Sequence, residues 1–250
     1  MIRLVSLNVE RSKHLDEIVA FLRTNTPDVV CLQEVCERDL LRFSTALEGY
    51  DQVYVPMTNE TDGEDTAIVG VGIFSRYKIQ HSEVFYYRKE TDELPKINSQ
   101  DAATFTLKHH LVVFADIAFG TGFRIGTTHF TWSQGGKATA LQRNDMHQLL
   151  AILKKTGEFV LGGDFNAPRG GEIFSMLAEK YKDNIPTKYG TSIDANLHRA
   201  GKLHPEELAN KMVDGLFSTP GYTVSDVELH SGVSDHMAIT ATITNLVANK

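Results

Sequence analysis

The sequence predicts a mixed α/β sandwich. Three observations predict it. Short runs rich in β-branched residues recur along the chain, amphipathic helical spacings separate several of them, and in the middle strand-like runs follow one another directly. Strands alternating with helices, together with strands in pairs, belong to sheets packed against helices.

Ile2 to Leu7 is the first strand. Leu15, Ile18, Val19 and Leu22 follow at i, i+3, i+4 and i+7, one face of a helix, with Ser12 as the expected N-cap and Pro27 as the stop. Val29 to Leu32 is a buried strand. Thr58 to Thr66 is polar and reads as an exposed loop, followed by a strand from Ala67 to Phe74. Lys89 to Asp101 reads as a second exposed loop. Leu111 to Phe119 and Phe123 to Thr128 make the strand pair. Met146, Leu149, Leu150 and Leu153 give a second helix closed by Gly157, and Phe159 to Leu161 the strand after it. Ile173, Phe174 and Leu177 mark a shorter helical face, and Met237 to Ile243 the last strand. No solenoid repeat or linker interrupts the series, so one domain over residues 1–250 is expected.

The 250 residues are 42% hydrophobic and 23% charged, enough to bury a core and unlike a fibrous or disordered chain. A formal charge of −7 lacks the basic footprint of a non-specific duplex binder. It leaves nucleic-acid ends, single strands and small phosphoesters open, and it suits a protein that gathers carboxylates around a cation. No apolar run approaches the ~18 residues of a membrane span, and the N-terminus lacks the pattern of a secretory signal. Cys31 and Cys36 are too few for a disulfide framework or a zinc set, and Cys31, in an apolar run, reads as a buried thiol. A reduced, cytoplasmic setting and a monomer are expected.

Function is written where the apolar runs stop. The first strand ends at Asn8, with Glu10 just beyond, and the second at Gln33-Glu34. Thr127-Thr128 leads to His129, Leu161 leads through two glycines to Asp164-Phe165-Asn166, Val213 precedes Asp214, and Val233 leads to Ser234-Asp235-His236. Each strand hands over a carboxylate, amide or imidazole at its C-terminal end, the edge where α/β sheets bind ligands. Any one of these residues alone reads as an ordinary strand end, but together they form one chemical kit. It fits metal-assisted phosphoester hydrolysis. Mg²⁺ prefers oxygen ligands and keeps waters and substrate phosphate oxygens, so Glu34 and Asp235 are candidate ligands, with Glu10 as a third; Mn²⁺ would substitute. Asp164, with Asn166 beside it, is the candidate base for the attacking water. His129, His236 and the amides of Asn8 and Asn166 are donors for the phosphoryl oxygens. Asp214 is the candidate partner of a histidine, fixing its tautomer and favouring its charged form.

At these residues the sequence resembles the endonuclease/exonuclease/phosphatase superfamily. The matching segments are Ser6 to Glu10, Pro27 to Glu34, Thr128-His129-Phe130, Gly163 to Asn166, Val213 to Phe217 and Ser234-Asp235-His236, in the family's order and over nearly the whole chain. The resemblance implies a four-layer α/β/β/α sandwich of two mixed sheets flanked by helices, with one active site at its mouth. It implies Glu34 as main metal ligand, Asp164 as base, Asn8 and Asn166 as orienting groups, and His236, paired to Asp214, on the phosphate. Asp235 then lies near the metal and His129 takes the place of a second phosphate-contacting histidine. Two departures stand out. Glu10 replaces the aspartate of several nucleases, and Gly215 replaces a larger residue, which implies a more open pocket there. Thr128 to Phe130, Ala140 to Arg143 and the helix through Leu153 look most similar to the tyrosyl-DNA phosphodiesterase branch, and Thr191 to Leu197 resembles a substrate-facing loop of that branch.

Adjacent Ser234, Asp235 and His236 do not make a hydrolase triad, because neighbouring side chains on an extended segment point apart. Gly135-Gly136-Lys137-Ala138 lacks the first glycine and the Ser/Thr of a phosphate loop and reads as a loop near the site, with Lys137 meeting substrate phosphate. Trp132, Arg143 and Arg169 are further candidate substrate contacts, of the kind DNA or RNA ends would need. A small-molecule or lipid phosphoester is the alternative substrate. A binding module without chemistry should lack one of Glu34, Asp164, Asn166, Asp235 or His236, and all are present.

Overall fold

A computed structural model of the chain describes residues 1–201 and 204–246. The elements run β1 (Ile2–Asn8), α1 (Leu15–Asn25), β2 (Val29–Cys36), α2 (Leu40–Ala46), β3 (Asp51–Asp62), β4 (Asp65–Ser75), β5 (Ile79–Arg88) and β6 (Lys96–Asn98). After a 3-10 turn at Ala102–Leu107 come β7 (His110–Ile117), β8 (Phe123–His129), α3 (Ala140–Leu153), β9 (Val160–Asp164), α4 (Glu172–Ala178), β10 (Lys182–Asp183), β11 (Asp214–Ser218), β12 (Tyr222–His230) and β13 (Ala238–Asn245). One sheet has seven strands in the order β12-β13-β1-β2-β4-β3-β6, the other six in the order β10-β11-β9-β8-β7-β5.

Both sheets are mixed: the seven-stranded sheet has the parallel pairs β1 with β2 and, at its edge, β3 with β6, and the six-stranded sheet has β8 with β9; β1–β2 and β8–β9 are the central pairs. Parallel neighbours need a crossover, and α1 and α3 supply it for the central pairs. The period of two along β1 shows how the layers arise. Ile2 and Leu4 point inward and meet Leu111, Val113, Ile125 and Val160 of the other sheet. Val5 and Leu7 point outward and meet Ile18 and Leu22 of α1 and Phe43 of α2. The second sheet packs Val112, Phe114 and Leu161 outward against Met146, Leu149 and Leu153 of α3 and Phe174 of α4. The result is the expected four-layer sandwich of two mixed sheets between helices. Each fully buried large aliphatic side chain contributes ~1.5–3 kcal/mol to holding it.

Several local expectations are corrected. Thr58 to Thr66 is a hairpin: β3 and β4 pair from Asp51↔Ser75 to Asp62↔Asp65, with Gly63 at φ 62° in the turn. Its polarity comes from a half-buried strand end, where both faces see water. Lys89 to Asp101 contains β6, whose buried Ile97 pairs with Glu60. Ser12 does not cap α1; its hydroxyl donates to Asp39 and His14 stands at the N-cap. Gly157 lies beyond the end of α3 at Leu153, in the turn that leads to β9. Cys31 and Cys36 are both buried free thiols. No helix among the described residues is long and apolar enough to cross a membrane.

Candidate active site

The ends of the two central parallel pairs meet at one edge of the sandwich. There Glu10, Glu34, His129, Asp164, Asn166, Asp235 and His236 line a cavity of about 220 Å³. Asn8 and Asp214 support it from behind, both nearly fully buried. Asp214 and His236 are not at strand C-termini as the sequence suggested. Asp214 opens β11, which runs antiparallel to β9 and sets Asp214 opposite Asp164. His236 precedes β13, which runs antiparallel to β1. Antiparallel neighbours deliver their N-terminal ends to the edge where parallel strands deliver their C-terminal ends.

Local backbone features aim the side chains. Between Leu32↔Gly72 and Val35↔Gly70 the β2–β4 ladder has a bulge, two residues against one, with Glu34 at φ 58°. Regular alternation would send Gln33 inward and Glu34 outward. The bulge keeps Gln33 inward, where its Nε2 donates to Thr127 Oγ1 of the other sheet at 2.8 Å, and turns Glu34 to the cavity as well. Glu10, Arg11 and Asn166 also have positive φ, at 46°, 60° and 50°. Such values cost a non-glycine residue ~1–3 kcal/mol each and cluster at functional sites. Gly162 and Gly163 let β9 reach the edge. A Cβ on Gly163 would lie 2.3 Å from Thr128 O, and one on Gly162 2.9 Å from Ser6 Oγ of the facing sheet.

Asn8 is the central bridge. Its Nδ2 donates to Asp164 Oδ2 at 3.0 Å and to Glu34 Oε1 at 3.2 Å, while its Oδ1 accepts from Glu10 N–H at 3.0 Å. Asp164 Oδ1 accepts from Asn166 N–H at 2.8 Å. Asn166 Nδ2 donates to Phe130 O at 2.9 Å. His129 Nε2 lies 3.6 Å from both Glu34 Oε1 and Asp164 Oδ2. His236 Nδ1 bonds Asp214 Oδ2 at 2.7 Å, and its Nε2 is 3.9 Å from Asp164 Oδ2.

The two histidines carry opposite charge states. Burial and then the Lys108 ammonium push His129 down to about 4, so it is neutral near pH 7. Burial also opposes charge on His236, but Asp214 and Asp164 outweigh it and hold that imidazole well above its usual value. Burial raises the Glu34 carboxyl, yet the positive charge of His129 and Lys108 and the Asn8 amide bring it down to about 2. With His129 neutral at pH 7, Lys108, Asn8 and the cationic His236 supply that help there. Burial raises Asp164 above the ordinary carboxylate value, which makes it a stronger base. Asp235 is pushed up to about 7, first by burial and then, against the pull of His236, by Glu10 and Glu34. That crowding of anionic oxygens is what a hard divalent cation relieves, and the oxygen donors of Glu34 and Asp235 suit Mg²⁺. Ligand atoms of Asp164, Asp214 and His236 also converge within 4.8 Å. In that group His236 is bonded to Asp214 and kept cationic, and Asp164 stands 3.9 Å from its other nitrogen, which is a charged pair beside a carboxylate and not a ligand set.

Both Glu10 carboxylate oxygens have partners, Lys13 Nζ on Oε1 and His14 Nε2 on Oε2, on the cavity wall beside Asp235. Other candidates fall elsewhere. Arg143 pairs with Glu172 on the surface. Arg169 braces Ile185 O, Tyr189 O and Asp183. Lys137 is exposed beyond the 3-10 turn Gln134–Gly136 and does not line the cavity. Trp132 does line it and is 41% exposed. Thr191 to Leu197 is a strut and not a substrate-facing loop. Ser192 Oγ accepts from Val213 N–H and Asp214 N–H, both at 3.1 Å, and Ile193 pairs with His236. Gly215 opens nothing, since a Cβ there would lie 2.5 Å from the Phe217 ring and 2.8 Å from the Phe165 ring. Lys108, His110, Arg11, Glu60, His198 and Arg199 also line the cavity and were not anticipated. Their one sequence signal is the run Lys108-His109-His110 at the N-terminal end of β7, an edge that the C-terminal rule passes over.

The family model described as Endonuclease/Exonuclease/phosphatase family matches residues 5–236. Nocturnin of Drosophila melanogaster is 25% identical over 229 residues, covering 87% of this chain and 33% of the nocturnin chain, so the chain spans about a third of that relative. Among solved structures, an endonuclease/exonuclease/phosphatase from Bacteroides vulgatus has a TM-score of 0.74 at 19% identity, covering 98% of each chain. A mannosyl-6-phosphatase of Bacteroides thetaiotaomicron scores 0.70 at 15% identity, over 98% of this chain and all of that one (100%). D. rerio TDP2 complexed with single-strand DNA product scores 0.67 at 18% identity, over 98% and 99% of the two chains. At these identities the solved structures show a shared fold, while the family match runs from the first strand to the Ser-Asp-His segment. The chain belongs to the endonuclease/exonuclease/phosphatase family.

Proposed function

We propose that the protein is a divalent-metal-dependent phosphoester hydrolase, acting as a single domain on phosphodiesters of nucleic-acid ends or related nucleotides. One observation carries the reading. A single cavity joins a buried carboxylate of raised basicity, Asp164, to a histidine kept cationic, His236, and to the carboxylates of Glu34 and Asp235 on the same wall, oxygen donors of the kind a hard divalent cation takes. Glu34 and Asp235 would hold Mg²⁺ or Mn²⁺, which when bound supplies Lewis-acid polarisation of the phosphoryl oxygens. The chain's own residues do the rest. Asn8 and the Asn166 backbone hold the Asp164 carboxylate so that its Oδ2 accepts a proton from the attacking water. Water oxygen bonds to phosphorus, the ester P–O bond breaks, and its electrons leave with the departing oxygen. His236 Nε2–H, kept charged by Asp214, donates to a phosphoryl oxygen as negative charge grows there. Neutral His129 has one N–H to offer beside it.

A small-molecule phosphoester is the second reading, favoured by the cavity's modest volume of about 220 Å³. A substrate panel separates the two: short single-stranded and duplex DNA, 5′-phosphotyrosyl DNA, inositol phosphates and hexose phosphates, each with Mg²⁺, with Mn²⁺ and with chelator. Turnover should be fastest on the nucleotide-type diesters, fall to background in chelator and return with either ion. Full turnover after exhaustive metal removal contradicts the metal assignment.

A further inference from the structure

Phe105, Lys108 and Trp132 line the cavity, and the hydrolytic step above gives none of them a contact with substrate. Of the lining cations, Arg11 is committed to Glu60, Asp62 and Asp65, and Lys13 to Glu10. Among the described residues, Lys108 and Arg199 line the cavity without an ion-pair partner. Lys108 is half-exposed, and its charge is felt by Glu34, Glu60, His110 and His129, so it lies close to the reacting centre without being spent on a carboxylate. It directly follows the 3-10 turn Ala102–Leu107. From that turn Phe105 packs edge-on to Trp132, with ring centroids 5.4 Å apart at 79°. Both rings line the same cavity, and the indole is 41% exposed.

An unpaired ammonium and a half-open indole on the wall of one cavity suit a ligand that is anionic and heteroaromatic at once. An ammonium binds phosphate as a point charge, and an indole face stacks on a base for ~1–3 kcal/mol. A plain anion would leave the aromatic pair unexplained, and a plain aromatic would leave the lysine unexplained. We propose that Phe105, Lys108 and Trp132 form a subsite for one nucleoside phosphate unit adjoining the scissile phosphorus, with the base on Trp132 and the phosphate on Lys108. The proposal rests on the hydrolase reading above and narrows its substrate class to molecules that carry a nucleotide.

Trp132 is the only tryptophan of the chain, so its emission reports this wall alone. The test titrates the protein in chelator with AMP, ribose 5-phosphate and adenosine. AMP should quench Trp132 saturably and bind about 10-fold or more tighter than adenosine, the gain expected of one charge-assisted phosphate contact. Ribose 5-phosphate should compete with AMP without quenching. Lys108→Met should weaken AMP about 10-fold and leave adenosine unchanged. Linear, non-saturating quenching by AMP overturns the proposal, and so do equal affinities for AMP and adenosine or an unaltered AMP affinity in Lys108→Met. Hydrolysis of methyl p-nitrophenyl phosphate with Mg²⁺, a diester with no base, is measured in parallel. Hydrolysis without AMP quenching retires the subsite alone; AMP quenching that meets every expectation without hydrolysis of any ester supports the subsite and retires the hydrolase reading.

Discussion

His236 is where single residues decide the chemistry. Its charge at neutral pH is not a property of the imidazole; burial alone would remove it. The Asp214 carboxylate at 2.7 Å and Asp164 behind it outweigh that burial and raise the folded pKa well above the usual 6.5. A raised pKa means the proton is held below that value and lost only as pH climbs through it. Asp214→Asn removes the main anionic partner, so the folded pKa drops and His236 is neutral over much of the range where the native site is charged. We expect kcat near pH 7.5 to fall by ~10²-fold or more, the worth of one preorganised donor. We also expect activity of the variant to recover partly as pH is lowered, because protonation then refills the imidazolium. A kcat–pH profile checks it, and a uniform loss at every pH would show that Asp214 acts only as a prop. At the same scale, Glu34→Gln and Asp164→Asn should each remove at least ~10²-fold of turnover while leaving the melting transition in place. Wild-type rates in either folded variant would contradict the assigned roles.

Elements matter through where they stop and how closely they approach. The Gly162-Gly163-Asp164 end of β9 was legible as a motif, but the need for two glycines is visible only in three dimensions. Thr128 O of β8 occupies the space a Gly163 Cβ would take, at 2.3 Å, and Ser6 of the opposite sheet crowds Gly162. Gly163→Ala must therefore push β9 away from β8. Overpacking of this kind costs ~1–3 kcal/mol, and here the shift moves Asp164 as well. A lowered melting temperature together with a lowered kcat is the expected outcome; native-like values for both would show that the strands have slack at this edge. The same physics explains what the sequence left hidden. Runs rich in apolar and β-branched residues marked β1, β8 and the start of β9, because strands covered on both faces favour such side chains. The pattern missed the β3–β4 hairpin tip because a half-exposed ladder carries polar residues on both faces. It placed Asp214 at the wrong end of its strand and passed over Lys108, because a pattern of residues does not state whether a neighbouring strand runs parallel or antiparallel. It gave no sign that Arg143 and Arg169 pair with Glu172 and Asp183, since the partner of a surface cation is set by the fold.

For the molecule as a whole, the cavity makes stability depend on pH with contributions of opposite sign. His110 is fully buried and its Nδ1 meets His129 O at 3.1 Å, so the ring is a neutral donor. Burial, then the charges of Arg88 and Lys108, hold its folded pKa well below 6.5. As pH falls below 6.5 the unfolded chain takes up a proton that the folded chain refuses, and stability is lost at up to ~1.4 kcal/mol per pH unit for each such histidine. His129 adds to this loss until about 4. Asp235 works against it: raised from 3.8 to about 7, it binds a proton in the folded state first and so favours folding as pH drops through that window. A wild-type stability curve therefore mixes the terms, and a difference between two proteins isolates one. His110→Asn keeps a side-chain N–H for His129 O and removes the titration. Denaturant unfolding in chelator from pH 7.5 to pH 4.5 should show the variant losing less stability than the wild type below pH 6.5, with the gap widening by about 1.4 kcal/mol per unit. Parallel curves would mean that His110 is protonated in the folded state and that the cavity admits more water than its burial implies.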